Sequence, residues 1–165
     1  MNLIFDTFET PLGEMTAVFS DDTLVLLDFS DTLDRIEKLL NRRYPDYQKT
    51  IRENPCNIRG HVQAYFQGNR NAFKGVKIDT GGTPFQQSVW RALQKILHGK
   101  TLSYKQLAEK VDRPKAHRAV GAANGKNPIA ILIPCHRVIG NDGSLTGYAG
   151  GVERKRKLLE LERSS

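Results

Sequence analysis

Cysteine is scarce in this chain: Cys56 and Cys135 are the only two in 165 residues. They cannot build a disulfide framework and lack the short spacing of paired metal-binding thiols. The 4 histidines are scattered, so no closely spaced pair is available to hold zinc. No segment approaches the roughly 18 consecutive apolar residues of a membrane helix. Met1 to Glu9 carries Asp6 and Glu9 where an export signal would have a basic end and an unbroken apolar stretch. There is no internal repeat and no low-complexity tract. These absences argue against a secreted disulfide scaffold and a membrane protein, and the expectation is a cytoplasmic protein with reduced thiols. What is present is ordinary for a globular chain, with 39% hydrophobic and 26% charged residues in a length that suits one large or two small domains.

The formal charge of +7 is unevenly placed. Residues 84 to 165 hold 15 Lys and Arg against 6 Asp and Glu, a net +9, whereas residues 1 to 83 hold 10 against 12, a net −2. A basic half beside a near-neutral half is the footprint of a chain in which one domain meets a polyanion; a solvated basic surface is the plainer alternative.

Alternating apolar residues over Leu3 to Phe8, Met15 to Phe19 and Leu24 to Phe29 predict a β-meander, with turns at Thr10-Pro11-Leu12-Gly13 and Ser20-Asp21-Asp22. Leu33, Ile36, Leu39 and Leu40 fall at helical spacing, with Asp31 or Thr32 available as N-cap. Ile58, Val62, Tyr65 and Phe66 predict a second helix ending at Gly68, and a short strand follows near Val76 and Ile78. Gly81-Gly82-Thr83 marks a boundary between an N-terminal domain, 1–80, and a C-terminal domain, 84–165. Thr83 there caps a helix opened by Pro84. Phe85, Val89, Leu93, Ile96 and Leu97 form its apolar face, with Gly99 as the stop. Ser103 and Gln106 form a capping box for a helix carrying Tyr104, Leu107, Ala108 and Val111. A further helix beginning at Pro114 is nearly all small residues, with Lys115, His117, Arg118 and Asn124 as its polar positions. The pair reads as a helix-turn-helix or as an ordinary helical hairpin. Ile129 to Ile133 suits a buried strand or extended segment, and a last helix covers Val152 to Glu162.

The segment Pro134-Cys135-His136-Arg137 carries the chemistry. A thiolate is the nucleophilic form of cysteine, and a histidine and an arginine beside it favour that form. On an extended strand adjacent side chains point to opposite faces, so a bridging water suits the pair better than a direct bond. Taken alone the pair is weak evidence for catalysis, because most buried cysteines are inert. Cys56 reads as structural, since nothing that activates a nucleophile flanks it.

The run Asn127-Pro128-Ile129-Ala130-Ile131-Leu132-Ile133-Pro134-Cys135-His136-Arg137-Val138 is preceded by Arg118-Ala119-Val120-Gly121-Ala122-Ala123-Asn124 and followed by Gly147-Tyr148-Ala149-Gly150-Gly151. This block closely resembles the O6-alkylguanine-DNA alkyltransferases, over about half the chain, from Gly82 to Glu162. The resemblance implies an α/β protein of two lobes: an N-terminal, ribonuclease H-like β-meander sheet with helices, and a mostly helical C-terminal domain with a helix-turn-helix and the buried Pro-Cys-His-Arg segment. It implies direct repair of DNA, in which the alkyl (methyl) group of O6-alkylguanine, with O4-alkylthymine as a further candidate, passes once to Cys135 and leaves the protein spent. His136 would be the base acting through a water, Glu162 its orienting carboxylate, and Asn127 the residue that fixes the turn around the site. Tyr104, Val138, Tyr148, Ala149 and Gly150 would line the substrate pocket, and Arg118 would fill the gap left by the extruded base. Ser103, Lys115, Ala116, His117, Ala119, Asn124 and Arg137 would meet DNA, which such proteins enter from the minor groove.

A flipped base and a thioether product need neither metal nor cofactor, and none is expected. The expected partner is double-stranded DNA containing alkylated bases, met by a monomer, with cooperative binding left open and no membrane involved. His117, and Arg163 after Glu162, depart from the family pattern. Three rival functions stand beside this one: a non-catalytic binder of alkylated DNA, a cysteine hydrolase using Cys135, His136 and Glu162, and a plain helix-turn-helix regulator.

Overall fold

The computed structural model describes Met1–Ser165 and divides into two compact units, Met1–Gly81 and Gly82–Ser165. In the first, strands β1 (Asn2–Phe8), β2 (Met15–Ser20) and β3 (Thr23–Phe29) form the meander that the alternation predicts. Helix α1 (Leu33–Arg43) follows, then β4 (Gln48–Ile51) and α2 (Ile58–Phe66). The sheet order is β3-β2-β1-β4, antiparallel except for the parallel β1–β4 pair. Ile36 and Leu40 of α1 bury against Leu3, Phe5, Val18, Val25 and Leu26. Each such side chain contributes roughly 1.5–3 kcal/mol when fully removed from water.

Three local expectations change. Strand β4 has four exposed residues and no apolar alternation to announce it. It exists because β1 offers a free edge, and Gln48 N–H donates to the Met1 carbonyl at 2.8 Å and Arg52 N–H to that of Phe5 at 3.1 Å. The strand expected near Val76 and Ile78 contracts to a single parallel bridge between Leu24 and Ile78. Thr32 does precede α1, but its hydroxyl donates back to the Phe29 carbonyl at 2.7 Å and leaves the helix without a side-chain cap.

The second unit opens at Gly82, whose φ of +82° suits glycine and where an added Cβ would lie 2.6 Å from the Trp90 ring. Helix α3 (Pro84–Gln94) starts with a capping box in which Thr83 accepts from Gln86 N–H. Trp90 Nε1 donates to the Ala123 carbonyl at 2.9 Å and so fastens α3 to the later helix that carries Ala123. The chain leaves α3 at Lys95, earlier than the apolar spacing suggests, so Leu97 falls off the core face and is 71% exposed.

A two-residue strand β5 (Leu102–Ser103) leads directly into α4 (Tyr104–Lys110), opened by the Ser103–Gln106 capping box. Helix α5 is His117–Gly125. It starts three positions later than Pro114 implies, because Pro114 belongs to a tight turn in which Arg113 N–H donates to Ala108 and Ala116 N–H to Arg113, both at 2.9 Å. Strand β6 (Val138–Ile139) pairs in parallel with β5, and α6 (Val152–Arg163) closes the chain. No helix is long and apolar enough to cross a membrane.

Candidate active site

Ile129 to Ile133 is buried as expected, yet it is not a strand. The chain coils: Leu132 N–H donates to the Ala130 carbonyl at 2.8 Å, Ile133 N–H to that of Ile129 at 3.0 Å, and Ile131 sits at φ +71°. That conformation is costly for a β-branched residue and persists only where the surroundings impose it. Asn127 imposes it from inside the coil. Its Nδ2 donates to the Ile133 carbonyl at 2.7 Å and its Oδ1 accepts from Ile129 N–H at 2.9 Å, so one buried side chain pins both ends.

The coil delivers a 3₁₀ turn, Cys135–Arg137, in which all three side chains are buried. The turn, unlike the extended strand first expected, sets successive side chains about a third of a revolution apart rather than on opposite faces. Cys135 is 8% exposed, and Asn124 Nδ2 donates to its carbonyl at 3.4 Å. His136 is fully buried, with Nε2 2.7 Å from Glu162 Oε2. An ionised carboxylate only accepts, so Nε2 carries the proton and Nδ1, which has no partner in the protein, presents its lone pair. Burial pushes the His136 pKa down, against the opposing pull of Glu162, which keeps the ring neutral at rest.

Arg137 closes the array. Its Nε donates to Glu162 Oε1 at 2.8 Å, Nη2 to Oε2 at 3.0 Å and Nη1 to the Ile96 carbonyl at 2.6 Å. The expectation that Arg137 meets DNA is therefore corrected: a bidentate bond to a buried glutamate consumes the guanidinium. Asn124 is corrected likewise, being 3% exposed and turned toward the Cys135 loop.

Lys155 is the residue that sequence reasoning missed. It lies on α6 and is fully buried, its Nζ donating to the Thr146 carbonyl at 3.0 Å. Burial depresses its pKa, and the negative charge Cys135 carries when ionised offsets part of that. The signal was available in the helical spacing of Lys155, Leu158, Leu159 and Glu162, the four buried residues of α6. Of its basic neighbours on α6, Arg154 donates to the Gly150 carbonyl, Arg156 sits between Glu153 and Glu160, and Lys157 is exposed.

Tyr104, at the start of α4, also donates to the Thr146 carbonyl, at 3.2 Å, and its pKa is raised by burial and then by Cys135. One carbonyl thus ties α4 and α6 to the loop bearing Tyr148, Ala149 and Gly150, of which Tyr148 and Gly150 are half-buried and Ala149 exposed. Val138 is buried immediately after the turn. Lys115, His117, Arg118 and Ala119 lie exposed together around the start of α5, with Ala116 half-buried beside them. Ser103 is half-buried, its hydroxyl accepting from Gln106 N–H at 3.0 Å. No three His, Cys, Asp or Glu side chains converge in a metal-binding group.

Residues 84–164 match the model described as the DNA binding domain of 6-O-methylguanine DNA methyltransferase, and residues 3–80 match its ribonuclease-like domain. The chain belongs to the O6-methylguanine-DNA methyltransferase family. A methylated-DNA–protein-cysteine methyltransferase of Salmonella typhimurium is 45% identical over 98% of this chain and 96% of its own. One from Methanosarcina barkeri is 42% identical over 99% of each. The crystal structure of Mycobacterium tuberculosis OGT in complex with DNA superposes with a TM-score of 0.82 at 39% identity, covering 99% of this chain and 94% of that one. The two-unit α/β fold is thus that of other O6-methylguanine-DNA methyltransferases.

Proposed function

We propose that this chain is a single-turnover methylated-DNA–protein-cysteine methyltransferase that repairs O6-alkylguanine, and O4-alkylthymine as a second lesion, in double-stranded DNA. The observation that carries the reading is the buried Cys135 held beside a His136–Glu162–Arg137 array, in a chain nearly half identical to proteins of that name. The basic second unit supports a polyanionic partner.

The lesion lies inside the base stack, so the nucleotide must first leave it. The exposed small-residue face of α5 suits approach through the minor groove, with Arg118 filling the place of the extruded base. In the pocket, lined by Tyr104, Val138 and Tyr148 to Gly150, His136 Nδ1 takes the thiol proton through one water and Glu162 stabilises the resulting imidazolium. The Cys135 sulfur attacks the alkyl carbon, its C–O bond breaks as the S–C bond forms, and guanine leaves with the electron pair and takes up a proton. The thioether offers water no carbonyl to attack, so the protein is spent. One chain carries every group the reaction needs, which supports a monomer, acting in the cytoplasm.

Intact-protein mass after incubation with DNA containing O6-methylguanine tests the reading. The expected result is a single added methylene on the peptide with Cys135, absent from Cys135→Ser, with DNA affinity nearly unchanged. A protein that never gains mass while consuming an acyl substrate repeatedly would be a cysteine hydrolase, and one that binds the lesion without gaining mass would be a damage-binding protein.

A further inference from the structure

A second cavity, of about 630 Å³, lies in the C-terminal unit between the end of α3, β5 and the end of α4. Its volume falls within the usual range for small-molecule sites. Ala92, Ile96, Leu97, Leu102 and Val111 give it an apolar floor, and Leu97 is an exposed large hydrophobic side chain with no apolar cover. Three exposed lysines, Lys95, Lys100 and Lys110, stand around that floor, and none of them takes part in an ion pair. Asp112 is the one acidic group lining it, which leaves a net of two positive charges.

Lysines at helix C-termini often complement the helix dipole, and Lys95 and Lys110 both sit at such ends. The dipole accounts for neither Lys100, which lies on the connecting loop, nor Leu97. The floor is also fixed in place. The Ile96 carbonyl is held by Arg137 Nη1 at 2.6 Å, and Lys100 N–H donates to the Leu97 carbonyl at 2.9 Å, so a ligand would meet walls already formed.

The geometry points to a binding site, separate from Cys135, for a small amphiphilic anion: a carboxylate, phosphate or sulfonate head on an apolar body. The body covers Leu97 and the floor, and the head meets the lysines. A neutral apolar molecule would leave the three ammonium groups unanswered, and a bare inorganic anion would leave the floor wet.

The probe is 1-anilinonaphthalene-8-sulfonate, an aromatic body with one anionic head, titrated into the full chain and read by its fluorescence. One saturable site per chain is expected, displaced by decanoate and not by decylamine or inorganic phosphate. The triple variant Lys95→Gln, Lys100→Gln, Lys110→Gln is expected to bind the probe about tenfold more weakly or worse, as loss of charge-assisted contacts implies. Leu97→Ser, which alters the floor alone, is expected to weaken it as well. Far-UV circular dichroism verifies that each variant folds, and the exposure of all four side chains makes that the expected result. Equal displacement by decylamine, or binding indifferent to both variants, would overturn the proposal. So would displacement by a short DNA duplex but not by decanoate, which would make this face a nucleic-acid contact.

Discussion

Glu162 answers to two donors at once, and its two oxygens explain how. Arg137 takes both in a fork while His136 Nε2 shares Oε2, so the carboxylate is held rigidly and can orient the imidazole without relaxing around it. Glu162→Gln keeps the shape and removes the charge. Transfer to Cys135 is expected to slow about a hundredfold, the scale of one misplaced general base, as measured by quench-flow on duplex substrate. The His136 ring is expected to titrate at still lower pH in this variant, because the influences that remain, burial and the charges of Arg137 and Lys155, all push its pKa down. The sign for stability follows. A free imidazole protonates near 6.5 and the buried ring only below that. The unfolded chain therefore takes up its proton first, and the native state loses stability as pH falls from about 6.5 toward the folded value. Removing Glu162's support extends that window downward, so in urea titrations at falling pH the variant is expected to go on losing stability below the pH at which the wild type levels off. Arg137→Met separates the corrected reading of Arg137 from the DNA-contact reading. Leaving Glu162 buried without its fork costs about 3 kcal/mol, visible in the urea midpoint, whereas the salt dependence of DNA binding is expected to stay as it was.

At the scale of elements, the sequence announced every helix, because apolar spacing, Pro84 and the Ser103–Gln106 box are local signals and local structure follows them. It did not announce β4, whose residues are all exposed and whose strand conformation comes from pairing with β1, 46 positions away in the register Asn2–Gln48 to Phe5–Ile51. Nor did it announce the coil before Cys135. An apolar run reads alike whether it is extended or wound, and the winding depends on where Asn127 sends its two amide groups. In the candidate site, Cys135, His136, Glu162 and Asn127 were legible through their motif. The burial of Lys155 went unread although its helical spacing carried it, because basic residues are usually on the surface, and Arg137 was given to DNA although its segment was expected to be buried. Helix α5 supplies the test at this scale. Arg118 is exposed near its start. If it fills the vacated stack, Arg118→Ala slows transfer from duplex DNA strongly, since unstacking costs a few kcal/mol, and barely changes transfer from a free O6-benzylated base. The ratio of the two rates on one preparation cancels any difference in active fraction. Equal slowing of both would assign Arg118 to the fold instead.

The whole molecule carries its charge in one unit. The net +9 of residues 84–165 against −2 of residues 1–83 means that a polyanion is attracted to one half of the chain and mildly repelled by the other. Several of those cations are already committed. Lys155 and Arg137 are buried, Arg156 sits between two glutamates and Arg154 holds the Gly150 carbonyl, so the effective cationic face is smaller than the count. The helix-turn-helix retains Lys115, His117 and Arg118 in the open. Each phosphate neutralised by such a residue releases condensed counterions, and the slope of log affinity against log salt steepens by about 0.9 per contact on duplex DNA. Lys115→Gln and Arg118→Gln are therefore each expected to make that slope shallower by about one unit, in anisotropy titrations on undamaged duplex between low and physiological salt. Arg52→Gln, which removes the same charge from an exposed position in the first unit, is expected to leave the slope unchanged. Long-range attraction alone cannot imitate this contrast. At physiological salt the screening length is about 8 Å, so only a charge in contact with the phosphates registers in the slope. A slope that responds equally to Arg52→Gln and to Lys115→Gln would mean that DNA lies across both units, and the division of labour drawn from the charge asymmetry would fall.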